Sequence, residues 1–182
     1  MEVFAVRIAD NDTTKLEALS DRTDLPAHPR ARMETLAGEA LARYALDRVF
    51  GCGPVRFART PAGKPFVPDR PEWQFSVSHS GEWVVCAVAD EPVGVDVERI
   101  GAVRESVARR FFTQTERAEI AASPDHDEAF TRVWVRREAM LKASGTGWSG
   151  EADPSDFLFA CKRIDDYLIC AASYARQNAL AP

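Results

Sequence analysis

The chain has 182 residues, of which 46% are apolar and 28% charged, and its formal net charge is −5. That is enough apolar material for one large domain or two small ones sharing an interface, and neither half is basic enough to suit a nucleic-acid duplex. No apolar run approaches the roughly 18 residues of a membrane span, and the opening MEVFAVRIADND has no basic start followed by an apolar stretch, so it reads as a first strand and not as a signal peptide.

In chain order, residues 2–8 predict a strand, and the polar stretch 10–28 predicts a loop with room for a short helix. From Arg30 to Phe50, Met33, Leu36, Ala37, Ala40, Leu41, Tyr44, Ala45 and Val49 recur at helical spacing, and Gly51 and Gly53 end that helix. TPAGKPFVPDRP at 60–71 is a turn-rich loop. WQFSVSHS and EWVVCAVADEPVGVDVERI predict three strands joined by hairpin turns at Ser80-Gly81 and Glu91-Pro92. A short helix follows at 104–111. Thr113 with Glu116 is a capping-box pattern opening a helix to about Ala122. A long helix then runs from Pro124-Asp125 to about Ser144, stopped by Gly145 and Gly147. Strands near 156–163 and 167–175 complete the pattern. Strand–helix–strands thus occurs on each side of Glu91-Pro92, which predicts an α+β protein of two small halves, 1–91 and 92–182.

The four cysteines, Cys52, Cys86, Cys161 and Cys170, form no C-x-x-C pair. Cys86, Cys161 and Cys170 lie in apolar strand text and read as small core residues of a reduced, cytoplasmic protein. Of the basic residues, 19 are arginine and four are lysine (Lys15, Lys64, Lys142 and Lys162), which draws attention to the lysines kept.

Three segments carry chemistry. In Val93-Gly94-Val95-Asp96-Val97-Glu98, alternation sends the valines to one face and Gly94, Asp96 and Glu98 to the other. Two carboxylates on one face repel, and a hard divalent cation would relieve them, with Gly94 leaving room for a ligand. The same spacing also fits a solvated acidic face. In the long helix, Trp134, Glu138 and Lys142 share a face, which suits either a site or an ordinary Glu–Lys surface pair. Ala62-Gly63-Lys64-Pro65 offers a lysine point charge for a phosphate. Ser78 and His79 sit side by side in FSVSHS, and alternation puts them on opposite faces unless the strand ends there. The alternative for that segment is a capped turn with a structural histidine. No P-loop and no nucleophile elbow are present.

Together, AGKP at 62–65, FSVSHS at 75–80, GVDVE at 94–98, RRFF with the following TE at 109–116 and WVRREAMLKASGTG at 134–147 resemble the 4'-phosphopantetheinyl transferase superfamily, surfactin-synthetase-activating (Sfp) type. The resemblance implies two similar α/β halves related by pseudo-twofold symmetry, with the active site in the cleft between them. It implies transfer of the phosphopantetheine arm of coenzyme A to a serine of an apo acyl, peptidyl or polyketide carrier protein by a cytoplasmic, monomeric enzyme. It implies Mg²⁺, with Mn²⁺ as substitute, on Asp96, Glu98 and Glu138. By position, Lys64, Ser78 and His79 match residues that hold coenzyme A phosphates, and Lys142 matches the lysine at the pyrophosphate. Arg30 and Thr35 match further phosphate contacts near the first long helix. Arg137 stands where the family usually has lysine. Glu138 is then the candidate general base, with Glu116 second, and Lys142 and Arg137 steady the leaving side. The rival expectation is a non-catalytic coenzyme A or nucleotide-binding module; three intact carboxylates argue against it.

Overall fold

The computed structural model describes residues 1–20, 22, 24–61, 63–145, 147 and 152–175. Ala62 of the AGKP segment and Thr146 of the signature helix lie outside them.

The elements are β1 (Glu2–Arg7), α1 (Thr13–Leu19), α2 (Pro29–Phe50), β2 (Ala58–Arg59), β3 (Pro65–Phe66), β4 (Gln74–Ser80), β5 (Trp83–Ala89), β6 (Val93–Arg99), α3 (Glu105–Phe111), α4 (Gln114–Ala122), α5 (His126–Ser144), β7 (Phe157–Ile164) and β8 (Tyr167–Tyr174). Two three-stranded antiparallel sheets, ordered β1-β5-β4 and β6-β8-β7, form the frame, with β2 and β3 as a small separate pair. In each three-stranded sheet the earliest strand pairs with the latest, β1 with β5 and β6 with β8. The molecule is a mixed α+β protein.

Alternation explains the layers. Val93, Val95 and Val97 of β6 are buried against Val85, Ala87 and Ala89 of β5 and Ile169 and Ala171 of β8, so the two sheets pack through these faces. Each valine removed from water contributes roughly 1.5–3 kcal/mol. The outer faces take the helices. Leu36, Leu41, Ala42 and Leu46 of α2 cover Val84, Cys86 and Val88. Ala139, Met140 and Val135 of α5 cover Ala172, Leu168 and Cys170. Helix α5 is buried on several sides, since Phe130 and Val133 also pack with α3 and α4. That is a wider apolar surface than the single stripe its spacing suggests.

Helix ends follow local chemistry. Asp12 caps α1, accepting from the amides of Thr14 and Lys15. The capping box of Thr113 and Glu116 is formed on α4, and Asp125 accepts from the Glu128 amide at the start of α5. Gly51 and Gly145 end α2 and α5 in the left-handed conformation.

Two expectations change. Gly94 does not leave room for a ligand: a Cβ there would lie 2.0 Å from the Ala139 carbonyl oxygen and 2.4 Å from the Ala143 nitrogen. The missing side chain lets α5 approach β6. Cys86 is a buried core thiol as expected, but Cys161 and Cys170 form a disulfide. They are direct partners in the β7–β8 register, with Cys161 on an exposed edge strand, so strand pairing decides their state and not apolar context. The cysteines therefore no longer argue for a reduced protein. Among the described residues, no helix is long and apolar enough to cross a membrane.

Candidate active site

Strands β4 and β6 are joined by serines. Ser76, Ser78 and Ser80 occupy alternate positions on β4, and each side chain reaches β6. The Val95 amide donates to Ser76 Oγ at 3.1 Å, Ser78 Oγ donates to Asp96 Oδ1 at 2.7 Å, and Ser80 Oγ donates to Glu98 Oε2 at 2.9 Å. The acidic face of β6 is thereby fixed against the other half of the chain.

From α5, Lys142 reaches the same point. Its Nζ donates to Asp96 Oδ1 at 2.7 Å and to Ser78 Oγ at 2.9 Å. The Asp96 side chain is only 7% exposed, and its Oδ2 is buried with no hydrogen-bond partner among the described residues. A buried carboxylate oxygen left without a donor is costly, and it is the kind of atom a cation satisfies.

Beside this cluster lies a cavity of about 700 Å³ between α2, the β2–β3 hairpin, β4 and the end of α5. Lys64, His79, Glu138 and Lys142 line it, with Thr35 and Glu34 on the α2 side. Lys64 Nζ donates to the Lys142 carbonyl at 2.9 Å and the Val93 carbonyl at 3.4 Å, and burial pulls its pKa below the ordinary lysine value. The His79 side chain is half exposed, and its Nδ1 lies 3.5 Å from Glu34 Oε2.

Strand β4 continues through Ser80, so Ser78 and His79 do point to different sides. His79 lines the cavity, whereas Ser78 is tied to it through Lys142. Arg30 is engaged elsewhere: Nε donates to Glu34 Oε1 at 2.9 Å and Nη2 to the Gly81 carbonyl. Arg137 and Glu116 pair with each other. Arg137 Nε and Nη2 donate to the Glu116 carboxylate at 2.7–3.0 Å, joining α5 to α4. Burial alone would raise the pKa of Glu116, but Arg137 and the Thr113 amide outweigh it and hold the carboxyl below its ordinary value. Neither residue is among the described residues lining the cavity.

Asp96 and Glu98, two residues apart on β6, offer the hard oxygen donors that suit a divalent cation, and the orphaned Oδ2 fits one. Glu138 stands on α5 one turn before Lys142 and is partly buried. Among the described residues, no three His, Cys, Asp or Glu side chains are yet gathered closely enough to hold a metal.

Comparison with known proteins bears on this arrangement. The model of the 4'-phosphopantetheinyl transferase superfamily matches residues 92–174, and that of the 4'-phosphopantetheinyl transferase N-terminal region matches residues 27–91. The chain belongs to the 4'-phosphopantetheinyl transferase superfamily. It is 35% identical to 4'-phosphopantetheinyl transferase Sfp of Bacillus subtilis (strain 168) over 127 residues, 67% of this chain and 56% of that protein. It is 38% identical to 4'-phosphopantetheinyl transferase psf-1 of Bacillus pumilus over 119 residues, 63% of this chain and 51% of that protein. It is 36% identical to 4'-phosphopantetheinyl transferase AcpT of Escherichia coli (strain K12) over 138 residues, 70% of this chain and 65% of that protein. Within the superfamily it is of the Sfp type. The chain spans about half the length of the first of these relatives.

Two functional features escaped the sequence reading. The serine ladder was announced by its period of two in FSVSHS, facing D-x-E. Glu34 follows Arg30 by one helical turn and precedes Thr35, a spacing that puts it at the same rim.

Proposed function

We propose that the chain transfers the phosphopantetheine arm of coenzyme A to a serine of an apo acyl, peptidyl or polyketide carrier protein and releases 3',5'-ADP. The observation that carries this reading is the cavity where the two halves meet, lined by Lys64, His79, Lys142 and Glu138 beside the buried Asp96. A di-anionic pyrophosphate with a further phosphate needs several cations and hydrogen-bond donors converging from different elements, and here Lys64 comes from a hairpin, His79 from a strand and Lys142 from a helix.

In this reading, Lys64 and His79 bind phosphates, with Thr35 beside them. Lys142, already aimed by Asp96 and Ser78, neutralises charge on the pyrophosphate as the bond to the leaving 3',5'-ADP breaks. Glu138 accepts the proton of the attacking serine. A magnesium or manganese ion held by Asp96, Glu98 and Glu138 would supply Lewis-acid charge neutralisation at the pyrophosphate. Glu116 is the weaker base candidate, because its carboxylate is engaged by Arg137 and Thr113. Arg137, held by Glu116, and Arg30, held by Glu34 and the Gly81 carbonyl, support the walls of the cavity and do not bind the phosphates directly. The same reading takes 1–91 and 92–182 as halves related by pseudo-twofold symmetry, a relation supported by the repeated sheet order. It describes a cytoplasmic monomer, a location resting on where coenzyme A and apo carriers are found.

The test is to incubate the protein with coenzyme A, Mg²⁺ and a panel of apo acyl, peptidyl and polyketide carriers, and to weigh the intact carriers. Addition of one arm to a carrier, lost on chelation of the metal, is expected. Tight coenzyme A binding with no carrier modified would make this a non-catalytic binding module.

A further inference from the structure

Of the acidic residues lining the cavity, Glu34 is the one that lies beside His79. Glu34 lines the cavity that also presents Lys64, His79 and Lys142, and its side chain is 14% exposed. A carboxylate next to an anion-binding surface repels the ligand unless its own charge is engaged by neighbours. Glu34 has two such neighbours. Oε1 accepts from Arg30 Nε at 2.9 Å, and Oε2 lies 3.5 Å from His79 Nδ1. Arg30 is itself anchored to the Gly81 carbonyl in the β4–β5 turn, one residue past the end of the strand that carries His79. Arg30, Glu34 and His79 therefore form a chain from α2 to β4.

We propose that Glu34 is a positioning residue for anion capture: its carboxylate holds the Nδ1 edge of His79, so that Nε2 is the nitrogen offered to a phosphate of the bound ligand. An imidazole with one nitrogen facing a carboxylate presents the other in a fixed direction. The half-exposed ring would otherwise sample several rotamers, and ordering it at the moment of binding would weaken capture. Arg30 engages the other oxygen of Glu34 and so offsets its charge next to the anion. The role deepens the coenzyme A reading above and rests on it.

The experiment uses the full chain and five proteins: wild type, Glu34→Gln, Glu34→Asp, His79→Ala and the Glu34→Gln/His79→Ala double variant. Coenzyme A binding is measured by calorimetry, and transfer to an apo carrier gives kcat and KM. Glu34→Gln is expected to weaken coenzyme A binding and raise KM by about two- to fivefold, the scale of a partly exposed close pair, with kcat little changed. In the His79→Ala background the same substitution is expected to do nothing more, because its effect passes through the imidazole. Glu34→Asp should recover part of the loss. Histidine ring nitrogen shifts of His79, read by NMR without any turnover, should change between wild type and Glu34→Gln.

Unchanged or tighter binding by Glu34→Gln, an equal loss in the His79→Ala background, or unaltered ring shifts would overturn the proposal while leaving the function standing. A wild-type chain that does not bind coenzyme A removes the functional reading, and this role with it.

Discussion

Lys142 and Asp96 form an ion pair at 2.7 Å that joins the last turn of α5 to the middle of β6, with the Ser78 hydroxyl from β4 completing the triangle. Three elements from both halves meet at one carboxylate. Removing the ammonium leaves that carboxylate buried with a hydroxyl as its remaining partner. Lys142→Met is expected to destabilise the fold by about 1–3 kcal/mol, less than the roughly 3–5 kcal/mol of a fully buried pair because Lys142 is partly exposed. Urea unfolding measures the first effect, and the carrier mass assay is expected to show transfer lost in the same variant.

Asp96→Asn should separate folding from metal use. The amide keeps the shape and can still accept from Ser78 and Lys142, while its NH₂ group puts a donor in place of the orphaned oxygen. The variant is expected to fold, with an unfolding midpoint lowered by several degrees because the ion pair to Lys142 is lost. Stabilisation by Mg²⁺ in the presence of coenzyme A, expected for wild type as ligand linkage, should be absent. Persistence of that stabilisation in Asp96→Asn would remove Asp96 from the metal site.

Glu138→Gln is expected to abolish transfer with the fold intact, as judged by circular dichroism and unfolding midpoint. Normal turnover in that variant would show that Glu138 neither takes a proton nor holds the metal.

Arg137→Lys keeps the charge but loses the fork that Arg137 extends to Glu116: a lysine makes one bond where the guanidinium makes a bidentate pair. A stability loss of about 1 kcal/mol is expected, with transfer little affected. The pH dependence follows from Glu116, whose folded pKa lies below the ordinary 4.5. A depressed carboxyl stabilises the fold above its unfolded value and loses that contribution as pH falls through the folded one. The stability gap between wild type and Glu116→Gln should therefore be full at neutral pH and close as pH falls below about 4.5.

The thiols offer a further check. Under non-reducing conditions, iodoacetamide is expected to label Cys52 and to leave Cys86 unlabelled, since burial pushes that thiol up to about 12. Cys161 and Cys170 should react only after reduction. Ready labelling of both without reductant would mean that the bond does not form in solution.

Much of the frame was legible because periodicity is local. The helix read from Arg30 to Phe50 spans Pro29–Phe50, and the three strands around Ser80-Gly81 and Glu91-Pro92 fall where the turns put them. The β2–β3 pair was hidden because two-residue strands in a proline-rich loop carry no periodic signal. The cysteine bond needed register, although Cys161 and Cys170 are symmetric about the turn at Asp165-Asp166. The serine ladder and Gly94 needed the packing of one element on another. D-x-E states that two carboxylates share a face; only the fold says that α5 lies against that face and brings Lys142 with it.

Lys64 extends from the hairpin of the first half to the backbone carbonyls of Lys142 and Val93 in the second. That single ammonium works as a fastener across the seam, and it sits in the wall of the cavity. Whatever anion takes hold of it also takes hold of the closing turn of α5 and the first residue of β6. Filling the cavity and tightening the seam are then one event, so the two halves should be harder to pull apart when the cavity is loaded.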